Sequence, residues 1–226
     1  LEKDRFRKEI KKLKPGKNIR FSKKILDTNN SMAYTLQIGE FSLENQAKAS
    51  FIADIIESDF YLQMRTNQQL GYIVWGGANS LKKSSYFYFI IQSGNHTADY
   101  LNKQSEEFIA TLADSLMNLN NEDYVTIKNG VIEKIKEKPT SIAQQADKYF
   151  SLAFDYNGNF SRDDALIDEV NKLTKERAFK ILSEVINDNS KKQVSVLLYA
   201  KKHDVSKNVE SSFQDINKWK SKRIYN

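Results

Sequence analysis

The stretch from Arg65 to Gly77, "RTNQQLGYIVWGG", sets a guanidinium and a phenol seven residues apart, with a glycine directly before the phenol. An arginine offers five N–H donors in a planar fork, suited to peptide carbonyls or carboxylates. A tyrosine hydroxyl at the mouth of a strand can donate to a carbonyl oxygen as that oxygen gains charge. Gly71 admits close approach of another backbone. The plain alternative is a helix end, a turn and a strand, with Tyr72 an ordinary core or edge aromatic. Residue types alone leave both readings open.

Nothing else in the chain assembles a catalytic apparatus. The two histidines, His96 in "GNHTADY" and His203 in "AKKHDV", stand apart, and neither H-E-x-x-H nor H-x-x-E-H occurs. Both read as loop residues rather than metal ligands. A serine triad lacks its G-x-S-x-G elbow, and no glycine-rich phosphate loop is present. Cysteine is absent, which excludes disulfides, thiolate metal sites and a cysteine nucleophile. The acidic pairs Glu106-Glu107 and Asp163-Asp164 fall in helix-surface or helix-cap contexts, where solvation is the default.

The elements that must position Arg65 and Tyr72 follow from periodicity. "MAYTLQIGEF" alternates Tyr34, Leu36 and Ile38 against Thr35 and Gln37, the mark of a half-buried strand. "NIRFSKKIL" reads as its partner across the turn "DTNNS". From Ser42, a candidate N-cap, apolar residues at helical spacing (Leu43, Ala47, Phe51, Ile55) predict a helix to about Met64. Two strands follow, "LGYIVWGGAN" and "SSYFYFIIQSG", joined across "SLKK". The second is apolar on both faces, which places it centrally in its sheet or under a covering body. "ADYLNKQSEEFIATLADSLMNL" carries Leu101, Phe108, Leu112 and Leu116 on one stripe. A second helix follows with Val125, Ile132 and Ile135 inward, and Pro139 ends it. "TSIAQQADKYFSLAFD" begins another helix, "YNGNFSRDD" reads as a loop, and a last long helix starts after Thr174. "KKQVSVLLYAKK" closes as a strand. The fold class is α+β, an antiparallel-rich mixed sheet with helices packed on one face. The expected organisation is a lead-in segment 1–16, an α+β domain 17–204 and an amphipathic tail 205–226 that packs locally.

At 226 residues, with 40% hydrophobic and 12% aromatic content, the chain can bury a sizeable core. Its net charge of +6 raises nucleic-acid binding. The lysines, however, are spread and interleaved with acids, and the densest cluster, Lys8 to Lys24, lacks alternating aromatics. A solvated surface is the expectation, with no nucleic acid as partner. No apolar run is long enough to span a membrane, and the N-terminal segment lacks an apolar signal core. With no initiator methionine, the chain reads as a processed protein or a piece of a longer one; periplasmic and cytoplasmic settings are both compatible.

The words "LQMRTNQQLGYIVWGG…SYFYFIIQSG…YLNKQSEEFI" resemble the last quarter of the insulin-degrading enzyme and pitrilysin family of inverted-zincin metallopeptidases. Matching positions are Arg65, Thr66, Gln69, Leu70, Gly71, Tyr72 and Val74, then Phe89, Gln92 and Ser93; Met64 stands where leucine is usual. "EKPTSIAQQADKYFSLA", "FSRDDALIDEVNKLTKERAFKIL" and "VSVLLYAKK" extend the likeness, which runs from about residue 17 to the end. The resemblance implies a pitrilysin-like metallohydrolase domain, the fourth of four homologous domains closing as two halves around a peptide. It implies zinc in the first domain, held by H-x-x-E-H and a distal glutamate, outside this chain. Tyr72 then hydrogen-bonds the scissile carbonyl and Arg65 anchors the substrate main chain. The partners implied are peptide substrates and the N-terminal catalytic half of the parent chain, and the fragment alone is expected to be inactive. The same fold also serves non-catalytic scaffold subunits, so that reading stays open.

Overall fold

The computed structural model describes residues 13–81, 84–207, 211–213 and 215–221. Among the described residues, five strands form one mixed sheet: β1 (Lys17–Lys24), β2 (Asn30–Glu40), β3 (Ile73–Leu81), β4 (Ser84–Ser93) and β5 (Lys192–Tyr199), in the order β1-β5-β2-β4-β3. β1 runs parallel to β5, and every other neighbouring pair is antiparallel. The helices are α1 (Leu43–Tyr61), α2 (Ala98–Asn118), α3 (Asn121–Lys136), α4 (Ile142–Phe150), α5 (Arg162–Lys172), α6 (Lys175–Ile186) and α7 (Ile216–Ser221). The α+β architecture with an antiparallel-rich mixed sheet is thus the one the sequence pattern implies.

Alternation decides which face of the sheet is covered. Met32, Tyr34 and Leu36 of β2 and Phe87, Phe89 and Ile91 of β4 are fully buried beneath α1 and α2. The opposite row, including Ala33, Thr35, Tyr86, Tyr88 and Ile90, is only half-buried. β4 is an interior strand flanked by β2 and β3, and of its two apolar rows only Phe87, Phe89 and Ile91 are fully buried. Phe89 sits where Tyr34, Phe60 and Phe108 converge, at centroid distances of 6.2, 5.1 and 6.4 Å and with rings steeply inclined. Gly76 lets α1 lie close on β3, because a Cβ there would come within 2.8 Å of Ile56 Cγ2. A smaller apolar cluster of Ala47, Val131, Ile132, Leu166 and Val170 joins α1, α3 and α5.

Helix starts follow local chemistry. Ser42 Oγ accepts from the Asn45 N–H at 3.0 Å, and Asn120 Oδ1 accepts from the Asp123 N–H at 2.7 Å. Asn120→Ala removes the α3 cap and should lower stability by about 1 kcal/mol, read as an earlier urea midpoint. An unmoved midpoint would show that water replaces the cap at no cost.

Several expectations are corrected. β1 does not pair with β2; the last strand lies between them, so "DTNNS" links strands that are not neighbours. The α-helical part of the first helix ends at Tyr61, and a π-helical turn, Leu62–Asn67, carries the chain on. Val125 is exposed, whereas Ile132 is buried and Ile135 packs against the same cluster as expected, with Val131 joining them. Arg162 to Lys172 form a helix whose start had read as loop. The tail does not pack only locally: Ser211 and Ser212 hydrogen-bond the β1 backbone, and Phe213 stacks on Phe21 at 5.3 Å. Residues 1–12 of the lead-in, with Lys8, Lys11 and Lys12, lie outside the described residues, as do Lys82 and Lys83 of the "SLKK" link. So do tail residues 208–210, 214 and 222–226.

Candidate active-site strand mouth

The site is built where α1 gives way to β3. The π-helical turn Leu62–Asn67 is pinned from inside by Met64, which is buried. The N–H of Leu70 donates to the Met64 carbonyl at 2.8 Å, and the N–H of Gln68 to Gln63 at 3.0 Å. Gln69 takes a left-handed conformation at φ 53°, turning the chain back towards the sheet. Arg65, half-buried, is therefore presented from a turn whose backbone is tied on both sides.

Beyond the turn the chain runs flush against the end of β4. The Tyr72 N–H donates to the Gln92 carbonyl at 3.1 Å, one position ahead of the first β3 ladder pair, Ile73 with Gln92. Gly71 is needed for its lack of volume: a Cβ there would lie 2.2 Å from the Gln92 carbonyl oxygen and 2.9 Å from Ile91 Cγ2. Gly71→Ala must push the strand entry away from β4, at a cost of about 1–3 kcal/mol. It should show as reduced thermal stability, and an unchanged melting temperature would mean the two backbones part without strain.

The two predicted site residues are brought together. Arg65 Nη1 donates to the Gly71 carbonyl at 2.6 Å, and its guanidinium carbon lies 4.9 Å from the Tyr72 ring centroid. Tyr72 is 82% exposed, so its phenol is presented to the surroundings rather than sealed in the core. Gln92 and Ser93 acquire structural duties that the motif did not specify. The Gln92 carbonyl anchors Tyr72, while Ser93 Oγ accepts from the N–H groups of Asn95 and His96 and closes the turn after β4. Only contact geometry reveals these duties.

The histidines are engaged elsewhere. His96 stacks on Tyr100 at 5.1 Å, and His203 Nδ1 meets the buried Asn30 side chain at 2.9 Å. Among the described residues, no group of three or more His, Cys, Asp or Glu side chains is placed to hold a metal ion. The residues present thus do not fit the zinc that the family resemblance implies. No helix among them is long and apolar enough to cross a membrane.

The family described as PQQ synthase PqqF-like, C-terminal lobe domain 4, matches residues 51–150, a span containing the Arg65–Tyr72 turn and β4. Protease 3 of Escherichia coli O6:H1 is 27% identical over 134 residues, covering 59% of this chain and 14% of that protein. Human insulin-degrading enzyme is 28% identical over 152 residues, covering 66% of this chain and 15% of that enzyme. The crystal structure of pitrilysin superposes with a TM-score of 0.81 at 18% identity, covering 95% of this chain and 23% of that one. The chain therefore spans about a seventh of these curated relatives and about a quarter of the pitrilysin chain.

Proposed function

We propose that this chain is a domain of an insulinase-family zinc metalloendopeptidase, the part that presents Tyr72 and Arg65 to a peptide, while the metal site belongs to another domain of the parent protein. The carrying observation is the exposed phenol of Tyr72 on a backbone fixed to β4, with a guanidinium over its ring. An oriented O–H aimed at a carbonyl oxygen stabilises the charge that grows there when the carbonyl is attacked. Arg65 uses one N–H on Gly71, and its remaining donors serve to hold a carbonyl of the substrate main chain. Bound zinc supplies carbonyl polarisation and water activation in such enzymes.

The parent protein is expected to cleave an internally quenched peptide, and the chain by itself to leave that peptide intact. In the parent, Arg65→Ala should raise KM several-fold through loss of main-chain anchoring. A folded parent that cleaves no peptide favours the scaffold reading, in which the same surface only mediates association. An unaltered KM removes Arg65 from substrate binding.

A further inference from the structure

We infer that Arg65 has a second task, as the positioning residue for the Tyr72 phenol. This rests on the peptidase reading and deepens it. A tyrosine at 82% exposure, held only at its backbone, swings freely about two side-chain bonds. Two contacts from one side chain restrict this one. Arg65 Nη1 clamps the carbonyl immediately before Tyr72 at 2.6 Å, and the guanidinium covers one face of the ring at 4.9 Å.

The anchor is itself rigid. Met64 is buried beside Arg65, and the π-helical turn is closed through the Leu70 and Gln68 N–H groups. Opposite, Gly71 and Tyr72 are pressed onto the Gln92 carbonyl. The phenol is thus gripped between β4, which sets its Cα, and Arg65, which sets its ring plane. A planar fork does both jobs at once; an ammonium cannot donate to the carbonyl and stack on the ring in the same way. The π-helical turn also acquires a purpose, because it is the element that carries the arginine to the carbonyl preceding the phenol.

A double-mutant cycle in the parent protein, assayed on a peptide substrate, separates positioning from anchoring. Arg65→Ala should lower kcat about ten- to a hundred-fold, as a misplaced catalytic group does, in addition to raising KM. In the Tyr72→Phe background the same replacement should leave kcat where Tyr72→Phe alone puts it, with the KM rise persisting. Arg65→Lys should retain most of the KM and fail to restore kcat. Multiplicative losses of kcat in the double variant would overturn the proposal, as would full rescue by lysine.

A readout independent of turnover is the ¹⁹F resonance of 3-fluorotyrosine placed at position 72. Arg65→Ala should shift that signal, with the melting temperature retained. An unmoved resonance overturns the positioning role even where Tyr72 proves catalytic. A shifted resonance with unaffected kcat in Tyr72→Phe leaves the grip established and rejects the catalytic role of Tyr72 on which the kinetic part depends.

Discussion

Tyr72→Phe in the parent protein should lower kcat against a peptide by about 10²–10³-fold, corresponding to the loss of one donor to a developing oxyanion, about 2.7–4 kcal/mol. The fold should be indifferent to the change. The ring is mostly solvent-exposed, phenylalanine keeps its face for the Arg65 guanidinium, and the anchoring bond to Gln92 comes from the backbone N–H. Melting temperature therefore separates chemistry from structure: it should stay put while turnover collapses. Because the proposed donor would act on charge that appears only in the transition state, KM should move little. Undiminished turnover with intact folding would remove the phenol from the mechanism.

Phe89→Ala should cost about 3–5 kcal/mol of folding stability, the range for truncating a fully buried aromatic. Its side chain has no exposure and lies at the junction of Tyr34 from β2, Phe60 from α1 and Phe108 from α2. These three elements cannot close together on the space left behind, because each is held by its own ladder or helix. Urea unfolding should show a midpoint shift with little change in slope. A loss below about 1 kcal/mol would mean that the helices collapse into the cavity, against the packing described. Phe89 also lies three residues before Gln92 on the same strand, so the core and the Tyr72 anchor share one support.

Much of this was legible in the residues, for identifiable reasons. β2 and β4 carry clean two-residue alternation, and the stripes of α1 and α2 are long enough to exceed chance, so these elements and their buried faces follow from pattern. Arg65 and Tyr72 were recognisable by residue type and motif, and the fold brings them into contact. The pattern fails where the deciding partner is remote. "DTNNS" has every mark of a hairpin turn, yet the strands it joins are separated by one from the far end of the chain. α5 escapes because "RDDALIDEVNK" buries only Leu166 and Val170, too few for a visible stripe. The π-helical turn is invisible to a 3.6-residue period. The duty of the Gln92 carbonyl belongs to the backbone, which no side-chain pattern encodes.

The parallel seam between β1 and β5 has a consequence for how the molecule is made. Residues 17–24 find their ladder partners only at 192–199, so β1 stays unsatisfied during synthesis until β5 has been made. Local elements such as the β3–β4 pair can form early, while completion of the sheet waits for an end-to-end closure with a high loop-entropy barrier. A chain cut short near residue 190 would expose the free edge of β2 and strand β1 without a neighbour, leaving two templates for aggregation. Translation of β5, rather than of the helices, is therefore the step that commits the sheet to its native order.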